Sequence, residues 1–352
     1  MPQPENSPFS IVSEEQLQHL REVAGSGPVL ILTHENPDPD ALSSGKTLAC
    51  LLQEAWGISS RLVYSGLVGR AENKVMLNLL TPEWEQADAV EDFGEYSAVA
   101  LVDTQPGSGN NRLPAWITPH IVLDHHPRLS ADLEAVPYID IRPEIGATAS
   151  LAYLYLQAAG IEPDSSLANA IFYGIQTDTR GLSRGDYPID QPIYFELLQL
   201  IDREKLRLIE QARLPREYFQ ALNDGLKAVK LYGHVLTAYL GEMHRPDFMA
   251  DMADLLVRLE NVSAVLCLGY HGEKMYLSMR TEANDVEAGR LIQAVIIPPG
   301  KGGGHGSTSG GQVPLKGWEP DDLAHVLEER FIGLMGESVI VEALLEEDPD
   351  QS

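Results

Sequence analysis

The chain has 352 residues, 44% of them hydrophobic, which exceeds one ordinary domain and supplies apolar side chains for two cores. Its 52 acidic against 25 basic residues give a formal charge of -27, which excludes a long nucleic acid as partner because no surplus of Lys and Arg exists to displace counterions. The N-terminal "MPQPENSPFS" lacks the basic and apolar regions of a leader, and no run reaches the ~18 apolar residues of a membrane span, so a cytoplasmic protein with no membrane partner is expected.

In chain order, "PVLILT", "RLVYSG", "AVALVDT" and "HIVLDHH" read as strands, and "ALSSGKTLACLLQEAWG" and "ATASLAYLYLQAAG" as helices. This alternation predicts an α/β domain over 15–190, a mainly parallel sheet flanked by helices. A charged helical stretch interrupted by Pro215 predicts a connector over 191–230. A smaller α/β domain is expected over 231–340, with strands "HVLTAYL", "SAVLCLGY" and "KMYLSMRT" and helices around "DFMADMADLLVRLE" and "DVEAGRLIQAVI". The end, 341–352, reads as an acidic tail. Cys50 and Cys267 sit inside apolar runs and are expected to be structural.

Chemistry concentrates where the first domain's apolar runs end. "LTHENPDPDALSSG" places His34, Asp38 and Asp40 directly behind the first strand; Asp103 ends "ALVDT"; Asp124, His125 and His126 end "IVLDHH"; Asp178 closes "FYGIQTDT". One such Asp alone reads as a cap or turn residue. Four recurrences, all expected at one edge of one sheet, point instead to a ligand site. Carboxylates crowded there repel unless cations hold them, and a mixture of Asp oxygen and His nitrogen suits Mn²⁺ and its relatives. Six ligands exceed the needs of one open catalytic ion, which indicates two ions sharing a carboxylate, a spacing of about 3.5–4 Å suited to phosphoester displacement.

The segments "HENPDPDALSSG", "VDT", "DHH" and "GIQTDT", in that order, resemble the four motifs of the DHH phosphoesterase superfamily, and "GKGGGHGSTSGG" resembles the glycine-rich motif of its DHHA1 subfamily. The resemblance implies an N-terminal DHH domain, a smaller DHHA1 domain and an active site in the cleft between them. It implies that His34, Asp38 and Asp103 hold one divalent ion and Asp40, Asp103, His125 and Asp178 the other, Asp103 bridging. Mn²⁺ is the implied metal, with Mg²⁺ or Co²⁺ as alternatives. Asp124 would orient a neighbour, His126 would face the reacting phosphate, and a hydroxide between the metals would attack. The layout is similar to enzymes that degrade very short oligonucleotides and dephosphorylate 3'-phosphoadenosine 5'-phosphate. Alternatives are a cyclic- or linear-dinucleotide phosphodiesterase, a single-strand exonuclease and, from another class, a non-catalytic nucleotide-binding module. An inorganic pyrophosphatase is disfavoured, since "GGGH" stands where that family has a lysine-rich signature. A homodimer is left open.

In the second domain, Gly302, Gly303, Gly304 and His305 are candidates for cradling a phosphate through converging backbone N–H groups, and Arg280 for gripping it through a guanidinium fork. Departures from the common pattern are Pro39 between Asp38 and Asp40, "TRGLSRG" after Asp178, and Ser307, Thr308 and Ser309 after His305. The chemistry therefore reads as intact and the substrate contacts near Arg180 and Arg184 as altered.

Overall fold

The computed structural model describes residues 12–345 apart from 88, 91, 129–130, 184, 186, 244, 246, 283–287 and 338–340. Two compact units divide the chain between Ala212 and Arg213. The first runs α1 (Glu14–Ala24), β1 (Val29–Leu32), α2 (Pro39–Trp56), β2 (Ser60–Tyr64), α3 (Ala71–Leu80), β3 (Trp84–Gln86), β4 (Ala98–Val102), β5 (Ile121–Asp124), β6 (Tyr138–Ile141), α4 (Thr148–Ala158), α5 (Ser165–Asp178), α6 (Asp190–Leu197) and α7 (Arg203–Glu210).

Its six strands pair in the order β3-β2-β1-β4-β5-β6, every pairing parallel. The chain builds outward from β1 to β3 and then returns to place β4 on the other side of β1. That reversal opens a crevice at the carboxyl ends of β1 and β4, where α/β sheets bind ligands. Val29 and Ile31 of β1 face the main core beneath α2, α4 and α5, whereas Leu30 and Leu32 face a smaller core closed by irregular segments and a short 3-10 helix. The helices are thus mostly on one face. Short strands β3 and β6 were not read from the sequence.

Two glycines let the helices near the crevice approach closely. A Cβ on Gly45 of α2 would lie 2.4 Å from the Trp84 ring, whose Nε1 donates to the Leu42 carbonyl. One on Gly174 of α5 would meet Ser43 at 2.3 Å and the Pro39 carbonyl at 3.2 Å. The Gly174 contacts pack α5 against the start of α2, one turn before Asp178.

The second unit comprises α8 (Arg216–Lys227), β7 (Val229–Tyr232), β8 (Val235–Glu242), α9 (Phe248–Leu256), β9 (Ala264–His271), β10 (Lys274–Thr281), α10 (Ala288–Val295), β11 (Lys301–His305), β12 (Thr308–Pro314), α11 (Pro320–Leu334) and β13 (Val341–Ala343). Its seven-stranded sheet, β11-β12-β10-β9-β8-β7-β13, is antiparallel except between β8 and β9. The stretch expected to be a connector is instead divided: α6 and α7 pack into the first unit, and α8 into the second. Part of the expected tail forms β13, and 346–352 lies outside the described residues. Among the described residues, no helix is long and apolar enough to cross a membrane.

Candidate metal centre

The "PDPD" segment is a helix start. Asp38 is the N-cap of α2, its Oδ1 accepting the Ala41 N–H at 3.0 Å, and Pro39 takes the first helical position, where its missing N–H costs nothing. This gives Pro39 a local reason. Asp40 follows in the first turn, where the helix dipole favours a carboxylate. Being two positions apart, the carboxylates serve different neighbours. Asp38 lies 3.8 Å from His34 Nε2, and Asp40 lies 3.9 Å from His125 Nε2.

Asp103 leaves β4 with φ of 57°, a left-handed turn that Asp tolerates better than most residues. Its carboxylate stands between two histidines, Oδ2 3.4 Å from His34 Nε2 and Oδ1 3.7 Å from His125 Nε2. Both rings are aimed through their other nitrogen, His34 Nδ1 on the Glu35 carbonyl at 3.0 Å and His125 Nδ1 on that of Ile145 at 3.2 Å. The polar turn after Asp103 braces this arrangement: Glu35 N–H donates to the Asn110 carbonyl, and the Asn111 side chain donates to that of Gln105 at 2.9 Å.

Asp178 corrects the sequence reading. It is the last residue of helix α5, not the end of a strand, and reaches the crevice from the helical layer, with Oδ2 3.2 Å from His125 Nε2. A carboxylate at a helix C-terminus opposes the dipole, so the position gains most from a bound cation. Asp124 is fully buried; its Oδ1 accepts from His126 Nδ1 at 2.8 Å and its Oδ2 from Gln105 Nε2 at 2.6 Å. It therefore orients His126.

Thr148 escaped the sequence reading. Its N–H and that of Ala149 each donate to Asp40 at 2.7 Å, and its hydroxyl donates to Asp103 Oδ1 at 2.8 Å. The start of α4 thus holds carboxylates from both halves of the site. A threonine opening a helix reads as an ordinary start signal, so its spacing carried no clue.

The donors fit cations. Three sets, His34–Asp38–Asp103, Asp40–His125–Asp178 and Asp103–His125–His126, each bring one donor atom per residue within 4.8 Å of the others. Burial, then the charges of Asp103, Asp178 and Asp38, push the Asp40 carboxyl well above the usual range. Burial would raise Asp103 too, but the His34 hydrogen bond and the charges of His126 and His125 hold it low. Against burial, Asp103 and Asp38 raise the His34 imidazole. Metal binding therefore competes with protons at His34 and Asp40. Apparent affinity for divalent metal should keep rising above pH 6.5, the ordinary imidazole value, with proton release in calorimetry. Affinity that levels off below that pH contradicts this electrostatic picture.

In the second unit the glycine run is a β-hairpin rather than a cradle. Gly302 pairs with Gly311, Gly303 with Gly310 and Gly304 with Ser309, so the backbone is extended and its N–H groups do not converge. A Cβ on Gly302 would strike Ile296 at 2.3 Å, and one on Gly304 the Thr308 carbonyl at 2.2 Å; at Gly303 it would meet nothing. His305 ends β11 opposite Thr308, which pairs with Arg280 on β10. The Arg280 guanidinium is buried, with Nε donating to Asp254 at 2.6 Å and Nη1 to Ser278 at 3.2 Å. Arg184 lies outside the described residues, and Arg180 turns left-handed two residues beyond Asp178. Three histidines outside the motifs are tied to backbone: His120 accepts from Val99 N–H, and His234 and His271 contact the carbonyls of Asn261 and Met243. His244 lies outside the described residues.

Comparison with known proteins agrees with this arrangement. The chain is 36% identical over 292 residues to an uncharacterized protein of Methanocaldococcus jannaschii, covering 82% of this chain and 58% of that one. It is 27% identical over 186 residues to a probable manganese-dependent inorganic pyrophosphatase of Streptococcus agalactiae, covering 49% of this chain and 55% of that one. The chain thus spans little more than half the length of these curated relatives. It shares its fold with the crystal structure of an exopolyphosphatase-related protein from Bacteroides fragilis, at a TM-score of 0.72 and 17% identity, over 93% of this chain and 98% of that one. Residues 28–175 match the N-terminal domain of the DHH family and residues 233–332 match the DHHA1 domain, and the chain belongs to the DHH family.

Proposed function

We propose that this chain is a manganese-dependent hydrolase of phosphoester bonds in short oligonucleotides or in nucleotide phosphomonoesters such as 3'-phosphoadenosine 5'-phosphate. The observation that carries the reading is Asp103, buried between two histidines that each complete a separate donor set. His34, Asp38 and Asp103 would hold one cation, and Asp40, His125 and Asp178 the other, with Asp103 shared. When bound, the pair supplies an ionised water near neutral pH and neutralises charge on the phosphoryl oxygens. His126, held by Asp124 and raised to about 9 by that hydrogen bond and nearby carboxylates against its burial, would donate to a phosphoryl or leaving oxygen. Four ligand carboxylates against two divalent ions leave the core near neutral, so the chain's acidity does not bar a small anion.

The likeness to the Streptococcus pyrophosphatase favours a second reading, pyrophosphate as substrate. A panel with added Mn²⁺ separates the two: dinucleotides, 3'-phosphoadenosine 5'-phosphate, long single strands and pyrophosphate. The proposal expects dinucleotides or the bisphosphate to be turned over fastest. Pyrophosphate as the best substrate would replace it.

Arg280 is proposed to contact the non-reacting end of a nucleotide substrate. Because Asp254 already fixes its fork, the group is rigid, and Arg280→Ala should cost about tenfold to a hundredfold in affinity for a dinucleotide, the worth of one charged hydrogen bond. A generic phosphodiester should be cleaved as before. Equal losses on both substrates would make Arg280 purely structural, a support for Asp254 and Ser278.

A further inference from the structure

Asp190, at the start of α6, carries none of the sequence signals that mark the metal ligands, yet it is fully buried. Its two oxygens face two different donors. Oδ2 accepts the Gly146 N–H at 2.8 Å and Oδ1 accepts the Ser150 hydroxyl at 2.5 Å. These donors bracket a short segment that, with the neighbouring Ile145, meets the candidate metal centre at several points. The Ile145 carbonyl aims His125, the N–H groups of Thr148 and Ala149 hold Asp40, and the Thr148 hydroxyl holds Asp103.

The segment is also wedged from the other side. A Cβ on Gly146 would lie 2.7 Å from Thr179, the residue after Asp178, and 2.8 Å from the Tyr187 ring. Position 146 therefore has room only for glycine, which offers no side chain to anchor itself. The anchor is Asp190.

We propose that Asp190 is a positioning residue for the metal centre: by clamping the 146–150 turn at both ends, it sets the placement of His125, Asp40 and Asp103 without touching an ion. This rests on the metal-centre reading above. A carboxylate suits the task because it accepts at both oxygens at once. An asparagine can take the same place if the Ser150 hydroxyl reverses and accepts from its amide, so Asn keeps the clamp and removes the charge.

The test is Mn²⁺ binding to chelator-stripped full-length chain, followed by calorimetry and by the electron paramagnetic resonance of the loaded protein. Asp190→Ala should weaken binding by about tenfold to a hundredfold, the usual effect of losing a group that orients metal ligands, and should alter the spectrum of the bound manganese. Asp190→Asn should restore both to near the wild-type state, and Ser150→Ala should give a smaller loss in the same direction. Wild-type affinity in Asp190→Ala would overturn the proposal. So would unchanged binding in Ser150→Ala together with full loss in Asp190→Asn, which would assign the effect to charge. Should Asp190→Ala fail to fold, Ser150→Ala and Asp190→Asn decide alone: no loss in the first overturns the clamp. A wild-type chain that binds no Mn²⁺ would instead sink the metal-centre reading itself, a separate outcome.

Discussion

Asp103→Ala should abolish turnover of every substrate and leave fewer than two metal ions per chain. Each other ligand carboxylate belongs to one donor set, whereas Asp103 faces His34 with one oxygen and His125 with the other. Removing it also frees the Thr148 hydroxyl and takes away a charge that raises both the His34 imidazole and the Asp40 carboxyl. Two cations would then lie close together with no anion between them. Metal analysis after dialysis checks the outcome. Two tightly held ions in this variant would remove Asp103 from the shared position.

His126→Ala should keep its metal and lose about 10² to 10⁴ in rate, the range for a group assisting proton transfer. The nitrogen of His126 nearest Asp103 is Nδ1, at 3.7 Å, and that atom is engaged by Asp124 at the shorter distance of 2.8 Å. Asp124 is itself held by Gln105, whose side-chain amide also reaches the carbonyls of His126 and Pro127. The turn therefore fixes the His126 imidazole through Nδ1. Metal content and single-turnover rate measured on the same sample separate the roles. Loss of manganese in this variant would show that His126 is a ligand.

Residues that obey a local rule were legible in the sequence. His34, Asp38 and Asp40 stand out because a buried strand passes at once into a helix start, and the cap signature and the metal signature coincide there. Asp178 was misplaced because "FYGIQTDT" is apolar enough for either a strand or a helix; Asp164 as N-cap of a 14-residue element is what decides for the helix. Thr148, Gln105 and Asp190 were invisible. Each acts through a hydrogen bond to a residue at least 19 positions away, which no local pattern encodes. The glycine run misled through composition. Gly302 and Gly304 serve close packing, and a Cβ on Gly289 of α10 would lie 2.1 Å from the Gly304 carbonyl oxygen, so helix and hairpin meet backbone to backbone.

The most direct test of the account is anomalous scattering from crystals of the chain loaded with Mn²⁺. Two peaks are expected in the first unit, one bounded by His34, Asp38 and Asp103 and the other by Asp40, His125 and Asp178, with the Asp103 carboxylate between them. A single peak, or a pair in which Asp103 contacts only one ion, would contradict it.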